Sequence, residues 1–223
     1  MLIPRYYFSG DYKQFYEYLI TQPHKKKIFH KNDYLWNSGE NINHVYYILS
    51  GVVQTLVQHE EGYQKILHFH GKDTIFPGCQ NSAFKIEKSI ITKALSDVSV
   101  LEFTREEFYR IFQENRELNA QVFETYAMYI NLFIYETAHQ EYNNSFIKLC
   151  NLLYLFSINS PQKNRIELTQ ENISDILTLN RVNTAKNLAR LRNEKIIISH
   201  RKWIEIADIN ALQNYCSYET IDE

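Results

Sequence analysis

The chain has 223 residues, 44% of them hydrophobic and 14% aromatic, and its formal net charge is −2. This composition supports packed cores and excludes a disordered chain, and no run of about 18 apolar residues predicts a transmembrane helix. Cys79, Cys150 and Cys216 are too few and too far apart for a disulfide framework or an all-cysteine metal site. Because the N-terminus lacks a signal-peptide core, we expect a cytoplasmic protein with no membrane contact.

Residues 28–103 have the pattern of short β-strands. The predicted strands are rich in β-branched and aromatic residues. Turn signals such as NSGE (residues 37–40) and EEG (residues 60–62) separate one strand from the next. Their spacing predicts a compact antiparallel barrel or sandwich. Two histidines in HFH (residues 68–70) share one strand face and could hold a metal, although a half-exposed strand pair is the more common arrangement.

At Thr104 the pattern changes from strand to helix. Thr104 with Glu107 three residues later indicates a capping box. From Arg116 to about Asn143 there is no glycine or proline, which predicts one helix of about 28 residues, roughly 42 Å long. Apolar residues recur along it at helical spacing. Such a stripe packs either on its own domain or on a second helix, and the length favours a partner helix.

The next segments predict a buried helix followed by two shorter helices. Residues 143–157 are apolar nearly all round, and NSPQKN (residues 159–164) is a polar loop. Thr169 then caps a helix whose inner face is Ile173, Ile176 and Leu177. Residues 178–180 form a turn, and Asn180 caps a second helix from Arg181 to about Glu194 that buries Thr184, Leu188 and Leu191. Two short helices joined in this way predict a helix-turn-helix.

A basic hairpin follows the second helix. Residues 196–199 and 203–206 predict two strands of a wing, and the turn between them carries Arg201 and Lys202. Residues 181–202 hold seven basic side chains against a single acid, Glu194, whereas residues 203–223 hold five acids and no lysine or arginine. Charge focused in this way predicts contact with nucleic acid, although a solvated helix face or a protein–protein module remains the alternative.

The order of these segments resembles the CRP/FNR family of bacterial transcription regulators. The resemblance rests on residues 38–69, which look like the family's cyclic-nucleotide-binding-type β-roll, and on residues 168–197, which look like its helix-turn-helix. It implies an α+β chain in three parts: an effector-sensing β-roll with flanking helices over residues 1–115, a long dimerisation helix over residues 116–143, and a winged helix-turn-helix over residues 144–223. It also implies a homodimer that binds double-stranded DNA and RNA polymerase. We expect the dimer seam at Leu118, Val122, Tyr126, Tyr129 and Phe133.

The resemblance also assigns DNA contacts. Where family members that read a GTG-type half-site have Arg, Glu and Arg on the recognition helix, this chain has Arg181, Val182 and Lys186. Because valine methyls suit the methyl group of thymine, we expect a site richer in A·T. The full set of expected base-reading residues is Arg181, Val182, Asn183 and Lys186, and the expected phosphate contacts are Thr169, Gln170, Arg190, Arg201 and Lys202.

The effector residues depart from the family pattern. Members that bind cyclic AMP have a glutamate where this chain has Cys79 after the matching Gly78, and an Arg-Ser pair where it has Lys88-Ser89. On the long helix, Phe133-Ile134 replaces Thr-Ser. The N-terminal cysteine cluster of the family's oxygen sensors is missing, and no histidine is singled out as a haem ligand. We therefore expect no cyclic AMP, haem, iron–sulfur or other metal cofactor. Any unknown effector would occupy a pocket formed by Gly78, Cys79, Lys88, Ser89, Tyr129 and Phe133.

Two functions fit these patterns. The first is a DNA-binding transcription regulator controlled by a signal other than a cyclic nucleotide, or active without one. The second is a sensor or protein-interaction module that has kept the fold and lost DNA binding; such a module would not need Arg181 and Lys186. No nucleophile–base arrangement or phosphate-binding glycine motif is present, so we expect no enzyme activity.

Overall fold

The structure is a computed structural model that describes residues 3–36, 39, 41–77, 89–159 and 164–221. It divides into two compact units, residues 8–127 and residues 128–223 together with residues 1–7. The predicted long helix is Arg116–Tyr142 and contributes residues to both units. The helix thus lies partly in each unit, and the three-part division expected from the sequence stays a prediction.

Two antiparallel sheets build the first unit and give the expected N-terminal half of an α+β fold. The five-stranded sheet has the order β1-β6-β5-β8-β3, and the four-stranded sheet has the order β2-β9-β4-β7. The strands are β1 (Tyr7–Phe8), β2 (Lys25–Phe29), β3 (Tyr34–Trp36), β4 (His44–Ser50), β5 (Val53–Gln58), β6 (Gln64–His70), β7 (Ile75–Phe76), β8 (Ile90–Ala94) and β9 (Val98–Thr104).

Strand β4 is apolar on both of its faces because both faces are covered. Tyr46 and Ile48 belong to a core cluster with Trp36 and Val53 of the other sheet. Val45 and Tyr47 belong to a second cluster, which includes residues of the helices α1 (Tyr16–Leu19), α2 (Arg105–Glu114) and α3 (Arg116–Tyr142). A strand buried on both faces appears in sequence as a continuous apolar run, which explains why HVYYIL does not alternate.

Glycine is required at the turn after β4. Gly51 has a φ of +90°, and a Cβ there would lie 2.3 Å from the carbonyl oxygen of Asp97. An L-residue is disfavoured by this backbone conformation and is excluded by the close approach. The turn therefore fixes the chain reversal between β4 and β5, and with it the change from one sheet to the other.

Helix α2 begins as predicted. Thr104 accepts a hydrogen bond from the Glu107 amide at 3.1 Å, and the Glu107 carboxylate accepts one from the Thr104 amide at 2.9 Å. The predicted seam of α3 needs a correction. Leu118 and Val122 are almost fully buried in the core cluster of their own unit, so they are not available to a partner helix. A stripe that packs on its own domain and a stripe that packs on a second helix have the same spacing, and sequence did not separate them.

The two histidines of β6 differ in exposure. His70 is buried and stacks on Phe76 at 5.1 Å, whereas His68 is partly exposed, and their ring centroids are 4.8 Å apart. Burial lowers the pKa of His68 to about 4. One member of the expected half-exposed pair is therefore buried against aromatic rings, and the other keeps part of its surface in solvent. Within the described ranges, no group of three or more metal-binding side chains is present.

The second unit contains a buried helix and a winged helix-turn-helix. Helix α4 (Ser145–Asn159) is buried from Leu149 to Ser157, as its all-round apolar sequence predicted. A three-stranded sheet of order β10-β12-β11 forms the wing, so the two predicted strands gain a third. The remaining elements are β10 (Arg165–Ile166), α5 (Gln170–Leu177), α6 (Arg181–Asn193), β11 (Ile197–Ser199), β12 (Ile204–Ile206) and α7 (Ile209–Gln213).

Tyr6 and Ser217 both make contacts within this second unit. Tyr6 is buried, donates a hydrogen bond to Glu136 and stacks on Phe156 at 5.8 Å. The Asn151 side chain of α4 donates a hydrogen bond to Ser217 Oγ at 2.7 Å and accepts one from the Ser217 amide at 2.9 Å. Among the described residues, no helix is long and apolar enough to cross a membrane.

Candidate nucleic-acid interface

Hydrogen bonds from side chains cap the N-terminal ends of helices α5 and α6. Thr169 Oγ1 accepts from the Asn172 amide at 3.1 Å, and Asn172 Oδ1 accepts from the Thr169 amide at 3.0 Å. Helix α5 ends at Thr178, which has a left-handed backbone (φ +54°). Asn180 Oδ1 then accepts from the Asn183 amide at 2.8 Å and starts α6. Both predicted caps are therefore present, and the turn has the predicted residues.

Packing of α5 on α6 fixes the direction of the second helix. The residues predicted to face inwards are all buried, and Ser174 Oγ donates a hydrogen bond to Thr184 Oγ1 at 3.0 Å between the two helices. The face of α6 that remains in solvent carries the four expected base-reading side chains. The inward residues are Ile173, Ile176, Leu177, Thr184, Leu188 and Leu191, and the outward ones are Arg181, Val182, Asn183 and Lys186.

Val182 is the unusual residue of the exposed face. It is 76% exposed at the first turn of α6, between Arg181 and Asn183. An apolar side chain so exposed contributes little to the fold, and the N-terminal turn of a recognition helix is the part that contacts base edges. This location favours a contact with another molecule over a packing role within the chain.

The cations of α6 differ in how they are held. Arg190 Nε donates to Glu194 at 3.0 Å, and the guanidinium lies 3.8 Å from the ring centroid of Phe146 and 5.2 Å from that of Tyr215. The hydrogen bond to Glu194 is the main cause of a raised pKa of Arg190. Arg190 was expected to bind phosphate; that role stays a prediction, and the contacts of its head group within the unit favour a structural role.

The wing carries an aromatic stack that the sequence did not reveal. The rings of His200 and Trp203 lie 3.6 Å apart and are nearly parallel, and the Arg165 guanidinium lies 4.5 Å from the Trp203 ring. The His200 amide donates to the Trp203 carbonyl at 2.9 Å and closes the hairpin. Arg201 and Lys202 are exposed at its turn. Arg165 is 38 residues from Trp203, so no local pattern could have paired them.

Glu171 was also missed by sequence reasoning. This residue lies in the first turn of α5, and its carboxylate accepts a hydrogen bond from Arg181 Nη2. Gln170, expected to contact phosphate, donates instead to the Arg181 carbonyl at 3.1 Å. An acid in a first helical turn is ordinarily explained by the helix dipole, so only the fold could show that it faces Arg181.

Helix α3 carries a second exposed surface. Apolar side chains remain in solvent on the face opposite its buried stripe, and a groove of about 410 Å³ lies along its C-terminal half. Tyr126 and Tyr129 of the predicted seam are partly buried, whereas Phe133 is 70% exposed. We call this the exposed stripe, and it consists of Phe123, Ile130, Phe133 and Ile134.

The predicted effector pocket is described only in part. Gly78, Cys79 and Lys88 lie outside the described residues. Ser89 is partly buried directly before β8. Tyr129 and Phe133 belong to the second compact unit. The pocket therefore stays a prediction, and the exposure of Phe133 favours its alternative place in the exposed stripe.

An antiparallel β-roll, a long helix and a winged helix-turn-helix in this order are the fold of a class of transcription regulators. Two family models match the chain: a cyclic nucleotide-binding domain over residues 26–115 and a Crp-like helix-turn-helix domain over residues 147–215. The chain belongs to the CRP/FNR family. No curated protein matches it in sequence.

Solved structures share its fold at low identity. FixK2 from Bradyrhizobium japonicum aligns with a TM-score of 0.75 and 16% identity over 87% of this chain and 98% of that one. CprK in complex with OCPA gives 0.74 and 17%, over 95% and 96%. The c-di-GMP responsive regulator CLP of Xanthomonas campestris gives 0.73 and 12%, over 87% and 98%. At these identities the likeness concerns the fold alone.

Proposed function

We propose that this chain is a homodimeric, sequence-specific DNA-binding regulator that reads a two-fold symmetric, A·T-rich site. The observation that carries the proposal is the solvent-facing side of α6, where Arg181, Val182, Asn183 and Lys186 are exposed at the end that reaches base edges in this motif. Basic and apolar side chains together suit a major groove, because arginine binds guanine and valine contacts the methyl group of thymine.

The wing supplies charge for the DNA backbone. Arg201 and Lys202 are exposed at the hairpin turn, and the stacked rings of His200 and Trp203 flank them in sequence. Contacts to phosphate position a protein without reading sequence. We assign Arg201 and Lys202 to this role. RNA polymerase is the further partner expected of a regulator of this family.

The exposed stripe of α3 is the proposed dimer surface. It presents Phe123, Ile130, Phe133 and Ile134 at steps of seven, three and one along one helix face. A second copy of the same helix offers the same apolar surface, which is the requirement for a two-fold interface. Dimerisation would place two recognition helices on one duplex and would account for a symmetric site.

The effector, if there is one, is proposed to be other than a cyclic nucleotide. Cys79 and Lys88 replace the glutamate and arginine that hold the ribose and cyclic phosphate in family members. Lys88 leaves a single positive charge and no bidentate fork. We propose a small anion with an apolar or aromatic body, or activity without a ligand, and no haem or iron–sulfur cluster.

A selection from random duplexes tests the function. We expect the chain to enrich two-fold symmetric sites with an A·T or T·A pair opposite Val182, and Val182→Glu to move that position towards C·G, because a carboxylate accepts from cytosine N4. Replacing Arg201 with Ala should weaken binding to every sequence alike and lower the salt slope by about one unit. An obligatory G·C pair opposite Val182 in the wild type would contradict the base assignment, and absence of salt-dependent binding would favour an interaction module.

A further inference from the structure

A carboxylate lies beside the first base-reading residue. Glu171 of α5 accepts from Arg181 Nη2, and Gln170 holds the backbone carbonyl of the same arginine at 3.1 Å. The side chains of Arg181 and Glu171 are 75% and 62% exposed. An ion pair this exposed adds little to folding stability.

The pair leaves Arg181 able to bind a base. A guanidinium has five N–H donors in a fixed plane, and Glu171 engages one nitrogen, Nη2. The remaining donors suffice for the two parallel hydrogen bonds that an arginine makes to guanine. Because a free arginine has many rotamers, a carboxylate that fixes one of them lowers the ordering cost of that contact.

The same carboxylate acts against DNA binding in general. Asp175, one turn further along α5, has its pKa raised by burial and by the charge of Glu171, whereas Arg181 lowers it. Glu171 pairs with Arg181, and Asp175 lies near enough for the charges of both to affect its pKa. Negative charge at this surface repels phosphates, whatever the sequence. Such negative charge benefits a DNA-binding protein if it improves discrimination between the correct DNA sequence and others.

We propose that Glu171 is a positioning residue that fixes Arg181 for guanine, and so raises sequence discrimination while lowering affinity for all DNA alike. This inference rests on the proposed DNA-binding function and concerns the same surface. It assigns α5 a direct part in specificity, through its first turn, in addition to its packing against α6.

The test uses the full chain and three duplexes: the selected site, the same site with the guanine read by Arg181 replaced, and an unrelated sequence. In Glu171→Ala we expect affinity for the unrelated duplex to rise about threefold, because a negative charge is lost. The ratio of affinities for the selected site and for the site without the guanine should fall about tenfold. Glu171→Gln should show the same rise but keep most of the discrimination, because an amide oxygen still accepts from the guanidinium.

Glu167→Gln is the matched control. Glu167 is an exposed acid of the same unit, but it pairs with Arg165 at 3.0 Å and not with Arg181. Its loss should raise general affinity without changing discrimination. In an Arg181→Ala background, Glu171→Ala should have no further effect on discrimination.

The inference is overturned if Glu171→Ala changes affinity for all three duplexes equally, or changes none of them. It is also overturned if Glu171→Gln loses as much discrimination as Glu171→Ala. Failure of the wild type to bind any duplex in a salt-dependent manner would instead reject the proposed function, so the two failures are distinguishable.

Discussion

Individual residues on α6 show what helical spacing identifies and what it misses. Arg181, Lys186 and Arg190 all appear as cations on the outer face in sequence. In the fold, Arg181 is held by Glu171 and Arg190 by Glu194 and Phe146, whereas Lys186 is exposed. Spacing predicts the direction of a side chain, but the partner comes from another element and depends on tertiary structure.

The two cations Arg190 and Lys186 should respond differently to substitution. Arg190→Ala removes the ion pair with Glu194 and the contact with the Phe146 ring, so we expect a lower Tm with an unchanged salt slope of DNA binding. Lys186→Ala should leave Tm unchanged and lower the slope by about one unit if it binds phosphate. Thermal unfolding and salt titration of both variants measure this contrast. A reduced slope in Arg190→Ala would restore its phosphate role.

Among the helices and strands, the features that could be predicted depend on residues close together in the sequence. The caps at Thr104, Thr169 and Asn180 need only the next three residues, and all three are present. The buried helix α4 followed from its composition. Strand β10 has two residues and is a strand only because it pairs with β12, with Ile166 opposite Ile204. A pairing across 38 residues has no local signal, and β10 was missed.

Helix α3 carries one buried apolar stripe and one exposed apolar stripe. Substitutions in the two stripes should have different effects. We expect Phe133→Asp to abolish dimerisation and tight binding to a two-fold site, because a charge would be buried in the interface. Leu118→Ala should cost about 2–5 kcal/mol of stability through the cavity it leaves, but should remain dimeric. Sedimentation at several concentrations with urea unfolding distinguishes them. A dimeric Phe133→Asp would exclude the exposed stripe as the interface.

At the scale of the whole molecule, the residues that differ from the cyclic-nucleotide-binding pattern predict that the chain does not bind cyclic nucleotides. Cys79 and Lys88 stand where the resemblance expects the glutamate and arginine that hold ribose and phosphate in cyclic-nucleotide-binding members. Calorimetry of the full chain with cyclic AMP and with cyclic GMP should therefore show no binding at micromolar concentrations. The Cys79→Glu, Lys88→Arg double variant restores the carboxylate and the bidentate guanidinium and is the comparison. Micromolar binding of either nucleotide to the wild type would mean that the lost contacts are dispensable.

The long-range contacts of the second unit have a consequence for folding. Tyr6 donates to Glu136 across 130 residues, and Asn151 donates to Ser217 across 66 residues. Contacts of such sequence separation form late because loop closure precedes them. The caps of α5 and α6 join residues only three positions apart and can form first. A folding chain would thus have its helix-turn-helix helices started before these long-range supports are in place.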